Sequence, residues 1–319
     1  MNLQNICLLF LVLLLLFINI TQGQLEIGFY SQTCPDAESI VKSVVSEATL
    51  EDPTMPPALL RLHFHDCFVE GCDGSILIED GADSERRAFG HEGLRGFEQI
   101  EKAKQEIETQ CPGVVSCADI VAMAARDAVA LARGPNYAVE TGRRDGKVSS
   151  LKLASDMPDV NDSIETLKSK FKNKGLSNQE LVILSGAHTI GTAACFFMPK
   201  RLYEFNETND SDPQISPRFL PELRRMCPKN GDINARISMD LVTKDKFDDQ
   251  IMRNIKKGFA VLASDARLYD DRLTKQVVDL YAEGSQFAQD FARAMVRMGR
   301  IGVKLGSNGH IRRICSAFN

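Results

Sequence analysis

Nine cysteines in a chain of 319 residues constrain the fold more than any other feature of the sequence. Cys7 lies in an N-terminal segment that reads as removable. Leu8 to Ile18 is an unbroken apolar run, uncharged on both sides until Glu26 and followed by Thr21-Gln22-Gly23. The run is shorter than the ~20 residues a membrane span needs, and it has the apolar core and small-residue end of a secretory signal. Residues 1–23 are therefore expected to be cleaved, leaving 24–319 as one domain; an uncleaved anchor helix is the alternative. Cys34, Cys67, Cys72, Cys111, Cys117, Cys195, Cys227 and Cys315 remain. An even set in an exported chain reads as disulfides, although the spelling leaves many pairings open. No two of them have the Cys-x-x-Cys spacing of a zinc site. Sequons at Asn161, Asn206 and Asn209 are candidate glycosylation sites and agree with export.

Helical periodicity dominates the rest. Ile40, Val41, Val44, Val45 and Ala48 share a helix face, and so do Phe97, Ile100, Ala103 and Ile107. Pro56-Pro57 suits a first turn, where no hydrogen bond is lost. Ser116 with Asp119 opens a long apolar run closed by Gly134-Pro135, and Ile164, Leu167 and Phe171 mark a helix ended by Gly175. Ser177 and Glu180 form a capping box for a helix over Leu181 to His188. Further helices are expected from Ser216-Pro217 to Cys227 and from about Ser285 to Met298. Only Tyr137, Val139 and Thr141 alternate as a strand does. The loop from Asn206 to Pro213 is long for a compact domain and is expected to be tied by disulfides. The chain is thus mainly α. A formal net charge of -5 with no Lys/Arg run gives no reason to expect nucleic-acid binding.

Three of the five histidines sit in two chemically loaded segments. In Arg61-Leu62-His63-Phe64-His65-Asp66-Cys67-Phe68, a helix puts Arg61 and His65 one turn apart on one face. One is a permanent cation and the other a base near neutrality, the pair needed to deprotonate a weak acid and hold the departing charge. His63, pointing away, is read as structural. In Leu184-Ser185-Gly186-Ala187-His188-Thr189-Ile190-Gly191, His188 nears a helix C-terminus, where the dipole favours a cation or metal. Gly186 and Ala187 would let a flat group approach the backbone.

Together the two segments resemble the plant secretory (class III) haem peroxidases. The likeness runs from Gln24 to Cys315. It includes Tyr30-Ser31-Gln32-Thr33-Cys34-Pro35, Arg61 to Cys72, Val115-Ser116-Cys117-Ala118-Asp119, Gly142-Arg143-Arg144-Asp145, Leu184 to Gly191 and Asp240 to Asp248. The resemblance implies a haem-peroxidase fold with very little β-structure and one haem b between a distal and a proximal helix. It implies reduction of hydrogen peroxide to water and one-electron oxidation of small phenolic donors through an oxyferryl and porphyrin-radical intermediate. Residue by residue, it makes His188 the iron ligand and Asp265 the acceptor of that ring's other N–H. His65 becomes the distal base, Arg61 the charge stabiliser and Phe64 the aromatic shield. Aligned on Glu85-Arg86-Arg87-Ala88-Phe89-Gly90, His91 stands where the family has an asparagine that accepts a bond from the distal histidine. A neutral imidazole can accept that bond and a protonated one cannot, so a shifted acid limb of peroxide activation is expected. The alternative is that His91 faces solvent in a slipped loop.

Asp66, Asp73 and Ser75 are hard oxygen donors around Glu70-Gly71-Cys72, a set that suits calcium. The resemblance adds the carbonyls of Val69 and Gly71, and a second calcium at Thr189, Asp240, Thr243, Asp248 and the Lys246 carbonyl. It implies the pairs Cys34–Cys111, Cys67–Cys72, Cys117–Cys315 and Cys195–Cys227, and a substrate position at Pro158. With no Trp in the chain, an exposed tryptophan radical is not expected. A monomer is expected, and since no second apolar stretch of membrane length follows the signal, none of the mature chain is expected in a membrane. Four residues after Cys315 favour the cell wall or apoplast over the vacuole. Two rivals are a haem-binding wall protein with weak or lost activity and a disulfide-rich calcium module without cofactor.

Overall fold

Local capping and apolar periodicity fix the first helices of the computed structural model, which describes residues 24–79, 81–284 and 286–319. The expected signal segment, Cys7 and Ser285 lie outside the described residues. Helix α1 (Ala37–Glu51) buries Ile40, Val41, Val44, Val45 and Ala48, the face its spacing predicts. Helix α2 (Met55–Phe68) carries proline in its first turn. Helix α3 (Phe97–Gln110) follows, and then α4 (Cys117–Leu131), capped by Ser116 accepting from Asp119 N–H at 3.1 Å. Helix α4 is buried on almost every side, with small alanines letting α1 and α2 pack closely against it.

The second half is built from α5 (Ile164–Asn173), α6 (Asn178–Ser185), α7 (Pro199–Tyr203), α8 (Leu220–Met226), α9 (Gln250–Lys256), α10 (Ala263–Arg267), α11 (Arg272–Ala282) and α12 (Phe287–Met298). Its core gathers Phe171, Leu181, Ile251, Val278, Phe287 and Phe291, and it reaches the end of α2 at Phe68. A smaller core under α7 and α8 holds Leu202, Phe219 and Leu223. Among the described residues, strands are short: β1 (Glu26–Ile27) pairs antiparallel with β2 (Glu140–Thr141), and β3 (Thr192–Ala194) with β4 (Arg236–Ser238). The fold is mainly α, as the periodicity predicts.

Four disulfides pin this frame: Cys34–Cys111, Cys67–Cys72, Cys117–Cys315 and Cys195–Cys227. These are the pairs that the resemblance implies. Cys117–Cys315 ties the start of α4 to the C-terminal segment across 198 positions, a constraint on the unfolded chain that grows with loop length.

Three expectations need correction. The capped helix α6 has its capping box but ends at Ser185, and His188 sits on a 3₁₀ turn, Gly186–Thr189. Glycine weakens the helix there, and the absent Cβ of Gly186 would stand 2.6 Å from the Phe287 ring. Gly186 thus admits a core aromatic rather than a flat ligand. Ser216-Pro217 begins a turn, and α8 starts only at Leu220. The 206–213 loop is, as expected, bracketed by the Cys195–Cys227 disulfide, and ion pairs hold it further: Arg201 Nε to Asp212 at 2.7 Å, and Arg224 to Asp210 at 2.6 Å.

Candidate active site

Helix α2 places the distal pair. Its last two turns bury His65 and leave Arg61 and Phe64 partly open. Arg61 has no carboxylate partner among the described residues. Its Nη2 donates to the Gly90 carbonyl at 3.2 Å and to the Glu92 carbonyl at 3.4 Å. Neutral carbonyls position the guanidinium without cancelling its charge. Burial, then the nearby Arg236 charge, lowers its pKa to about 10, so it stays a cation at neutral pH. Burial first, then the charges of Arg61 and His91, hold His65 well below its ordinary 6.5. His65 is therefore a free base in neutral solution. His63 is buried against Cys67 Sγ at 3.7 Å and takes no part.

His91 is buried at 2% exposure, so it does not face solvent. Its ring stands nearly perpendicular to that of His65, with centroids 4.9 Å apart. The expected hydrogen bond between them is not closed: Nδ1 of each ring is buried without a partner. His91 Nε2 instead lies 2.9 Å from Met157 Sδ.

The second histidine is fixed from α10. Asp265, 1% exposed in the first turn of that helix, faces His188 Nδ1 at 2.8 Å. Burial acts to lower the His188 pKa, but the Asp265 charge and hydrogen bond outweigh it and raise the pKa. The ring keeps 34% of its side-chain surface open, and the Arg61 charge reaches it. It is therefore partly open and near Arg61. With Nδ1 committed, Nε2 is the only nitrogen His188 offers to a ligand. A carboxylate-backed imidazole, a buried base and a guanidinium without a carboxylate partner among the described residues form a donor set that fits haem iron and peroxide.

Both oxygen clusters adjoin these helices. Asp66 Oδ1, Ser75 Oγ and both Glu85 carboxylate oxygens are buried without partners. Asp73 accepts from Ser75 N–H at 3.1 Å, and its own N–H donates to the Gly71 carbonyl at 2.8 Å. Orphaned oxygens of this kind fit a hard cation. Burial pushes Asp66 well above the usual carboxylate range, and it pushes Glu85, beside the Asp66 charge, up to about 9. The sequence reading missed Glu85; its only signal was a carboxylate in a turn next to a known cluster. The Val69 carbonyl accepts from Lys174 Nζ, a partner that the resemblance does not include. Gly71 meets Gly302 so closely that a Cβ on it would lie 2.6 Å from the Gly302 Cα. In the second cluster, Thr243 Oγ1 lies 3.1 Å from Asp240 and 3.0 Å from Asp248, and Thr189 Oγ1 is 3.5 and 3.4 Å from the same pair. The Lys246 ammonium pairs with Asp248 at 3.3 Å. Two carboxylates sharing two hydroxyls form an oxygen cage of the same type.

Pro158 is half-buried beside Met157, and Asn161, Asn206 and Asn209 are exposed. An aromatic surface was missed as well. Phe89, from the turn that carries His91, meets Phe196 at 5.8 Å, and Phe196 meets Phe197 at 5.3 Å. All three are more than one-third exposed. Nothing local in the sequence joins these segments.

A mainly α frame enclosing a carboxylate-backed histidine opposite a histidine–arginine pair defines the haem peroxidase class. A peroxidase-family profile matches residues 41–284. The chain is 62% identical over 315 residues to Peroxidase 43 of Arabidopsis thaliana, covering 97% of each chain. It is 55% identical to Peroxidase 13 of the same plant, over 98% of each chain, and 50% identical to Peroxidase N1 of Nicotiana tabacum, over 98% of this chain and 96% of that one. The chain belongs to the peroxidase family, in the plant class III group, and it is an enzyme acting on hydrogen peroxide with a haem cofactor.

Proposed function

We propose that residues 24–319 form the mature enzyme, exported to the cell wall or apoplast after loss of 1–23 and glycosylated at Asn161, Asn206 and Asn209. It works as a monomer with one haem b and two calcium ions, and it oxidises small phenolic donors. No described helix is long and apolar enough to cross a membrane. The observation that carries the site assignment is the His188 Nδ1–Asp265 contact at 2.8 Å. The carboxylate strengthens Nε2 as a donor, so His188 would hold the iron and Phe64 would flank the haem. Haem, when bound, supplies the redox chemistry of peroxide reduction and the oxidising equivalents that donors consume. His65 takes the proton from peroxide and returns it to the departing oxygen. Arg61 stabilises the negative charge on that oxygen. The exposed Phe89, Phe196 and Phe197 offer ring faces to an aromatic donor, alongside the substrate position at Pro158.

Purified protein should show a Soret band and turn over guaiacol with peroxide. Phe197→Ala should then raise the guaiacol KM about two- to tenfold at an unchanged peroxide rate constant. A Soret band without turnover would sink the reading.

Asp66, Asp73, Ser75 and the Val69 and Gly71 carbonyls would hold one calcium, and Thr189, Asp240, Thr243, Asp248 and the Lys246 carbonyl the other. Each set adjoins a haem-facing histidine, since Asp66 follows His65 and Thr189 follows His188. Chelation should lower activity, shift the Soret band and remove about 3 kcal/mol of stability per site at calcium ~100 times Kd. A calcium-free enzyme with full activity and the same denaturation midpoint would count against this role.

A further inference from the structure

The ring of His91 has an unusual neighbour. Met157 is 6% exposed and follows the 3₁₀ turn Leu153–Asp156. Its carbonyl accepts from Lys170 Nζ at 2.7 Å, which fixes the backbone that carries the side chain. The sulfur thereby sits 2.9 Å from His91 Nε2. A thioether has lone pairs and no proton, so it can only accept. A bare Nε2 lone pair at that distance would repel it, and Nε2–H satisfies both atoms. Burial, opposed by the Glu85 carbonyl and aided by the Arg61 charge, brings the His91 pKa down to about 4. The ring is therefore neutral near pH 7, and a neutral imidazole with Nε2–H has a bare Nδ1.

That bare Nδ1 is one of the two partnerless nitrogens in the site, and His65 Nδ1 is the other. Ring centroids 4.9 Å apart bring the two rings within reach of an Nδ1–H···Nδ1 bond. We propose that Met157 is a positioning residue for the peroxide step: its thioether selects the Nε2–H tautomer of His91, whose Nδ1 then accepts from His65 Nδ1–H and leaves His65 Nε2 bare as the base. This rests on the reading of His65 as the distal base. An asparagine at position 91 would need no such selection, because an amide oxygen is an acceptor in every state.

The experiment is a double-mutant cycle read by stopped flow. Met157→Leu keeps the volume and removes the acceptor. It should slow the second-order reaction with peroxide about two- to tenfold, one modest hydrogen bond's worth, and leave donor oxidation unchanged. In the His91→Asn background the same substitution should have no effect, and Met157→Gln should restore the rate when His91 is present. Ring-nitrogen NMR of the diamagnetic carbon-monoxide-ligated ferrous holoenzyme should show His91 as the Nε2–H tautomer, and a mixture in Met157→Leu. Equal slowing in both backgrounds would make Met157 a packing residue and overturn the proposal, as would an unchanged rate or an unchanged tautomer. If His65→Leu leaves the peroxide rate intact, the reading of His65 itself has failed, and that outcome is separate from the others.

Discussion

His65→Leu should slow the reaction with peroxide by about 10²- to 10⁴-fold while the Soret band remains. The expectation rests on the protonation state of the ring. A base acts only while unprotonated, and burial holds His65 well below its ordinary 6.5, with the Arg61 and His91 charges adding to the effect. The sign follows directly: at pH 7 the ring is bare, and lowering the pH diminishes the rate only when the pH approaches that depressed value. The wild-type rate constant should therefore stay flat from neutral pH to well below 6.5. His65→Leu should remove this acid limb along with most of the rate. Arg61→Leu should cost about 10²- to 10³-fold, as the loss of one charge-stabilising donor does. It should also let His65 titrate higher, because one depressing charge is gone. Stopped-flow rate constants across pH measure all of this. A rate in His65→Leu within a few fold of wild type would show that the proton moves by another route.

Much of the site is legible because its parts are contiguous. Arg61 and His65 lie one turn apart inside a helix that Pro56-Pro57 opens, and both oxygen clusters begin at residues next to the two histidines. The caps at Ser116 and Ser177 are local chemistry, so they also show in the spelling. Other features depend on distant segments. The aromatic surface joins Phe89 to Phe196, and Met157 meets His91 across 66 positions. Glu85 becomes a buried carboxyl only when the loop folds onto Asp66. Helices α7, α9 and α10 have five to seven residues, too few turns for a periodic signal. Helix α11 was readable: Asp271 caps Leu273 and Thr274, and Thr274, Val278 and Tyr281 recur at helical spacing. Its mostly polar surface hid that stripe.

Asp119→Ala should cost about 3–5 kcal/mol, more than removing any surface charge. The sequence shows Asp119 as a first-turn residue of α4 and Arg143 as part of a separate motif. The structure joins them. Asp119 Oδ1 meets Arg143 Nη1 at 2.8 Å, and Oδ2 accepts from the Tyr30 hydroxyl and Gly142 N–H, each at 2.6 Å, and from Arg143 N–H at 3.1 Å. Both side chains of the ion pair are essentially sealed from water. One carboxylate thus ties the N-terminal segment, α4 and the strand-end Gly142 together. Arg143 continues the chain of contacts, with Nη2 donating to the Gly299 carbonyl just past α12 at 2.6 Å. Removing the carboxylate strands a buried guanidinium and three further donors, and that uncompensated burial carries the cost. Arg143→Met alone should be similarly damaging, since it strands the acid instead. The double variant Asp119→Leu/Arg143→Met should recover part of the loss, because a buried pair exchanged for apolar groups leaves no lone charge. Denaturant midpoints of the oxidised, haem-loaded protein supply the cycle. Additive losses in the double variant would mean that the two residues stabilise the fold separately rather than as a pair.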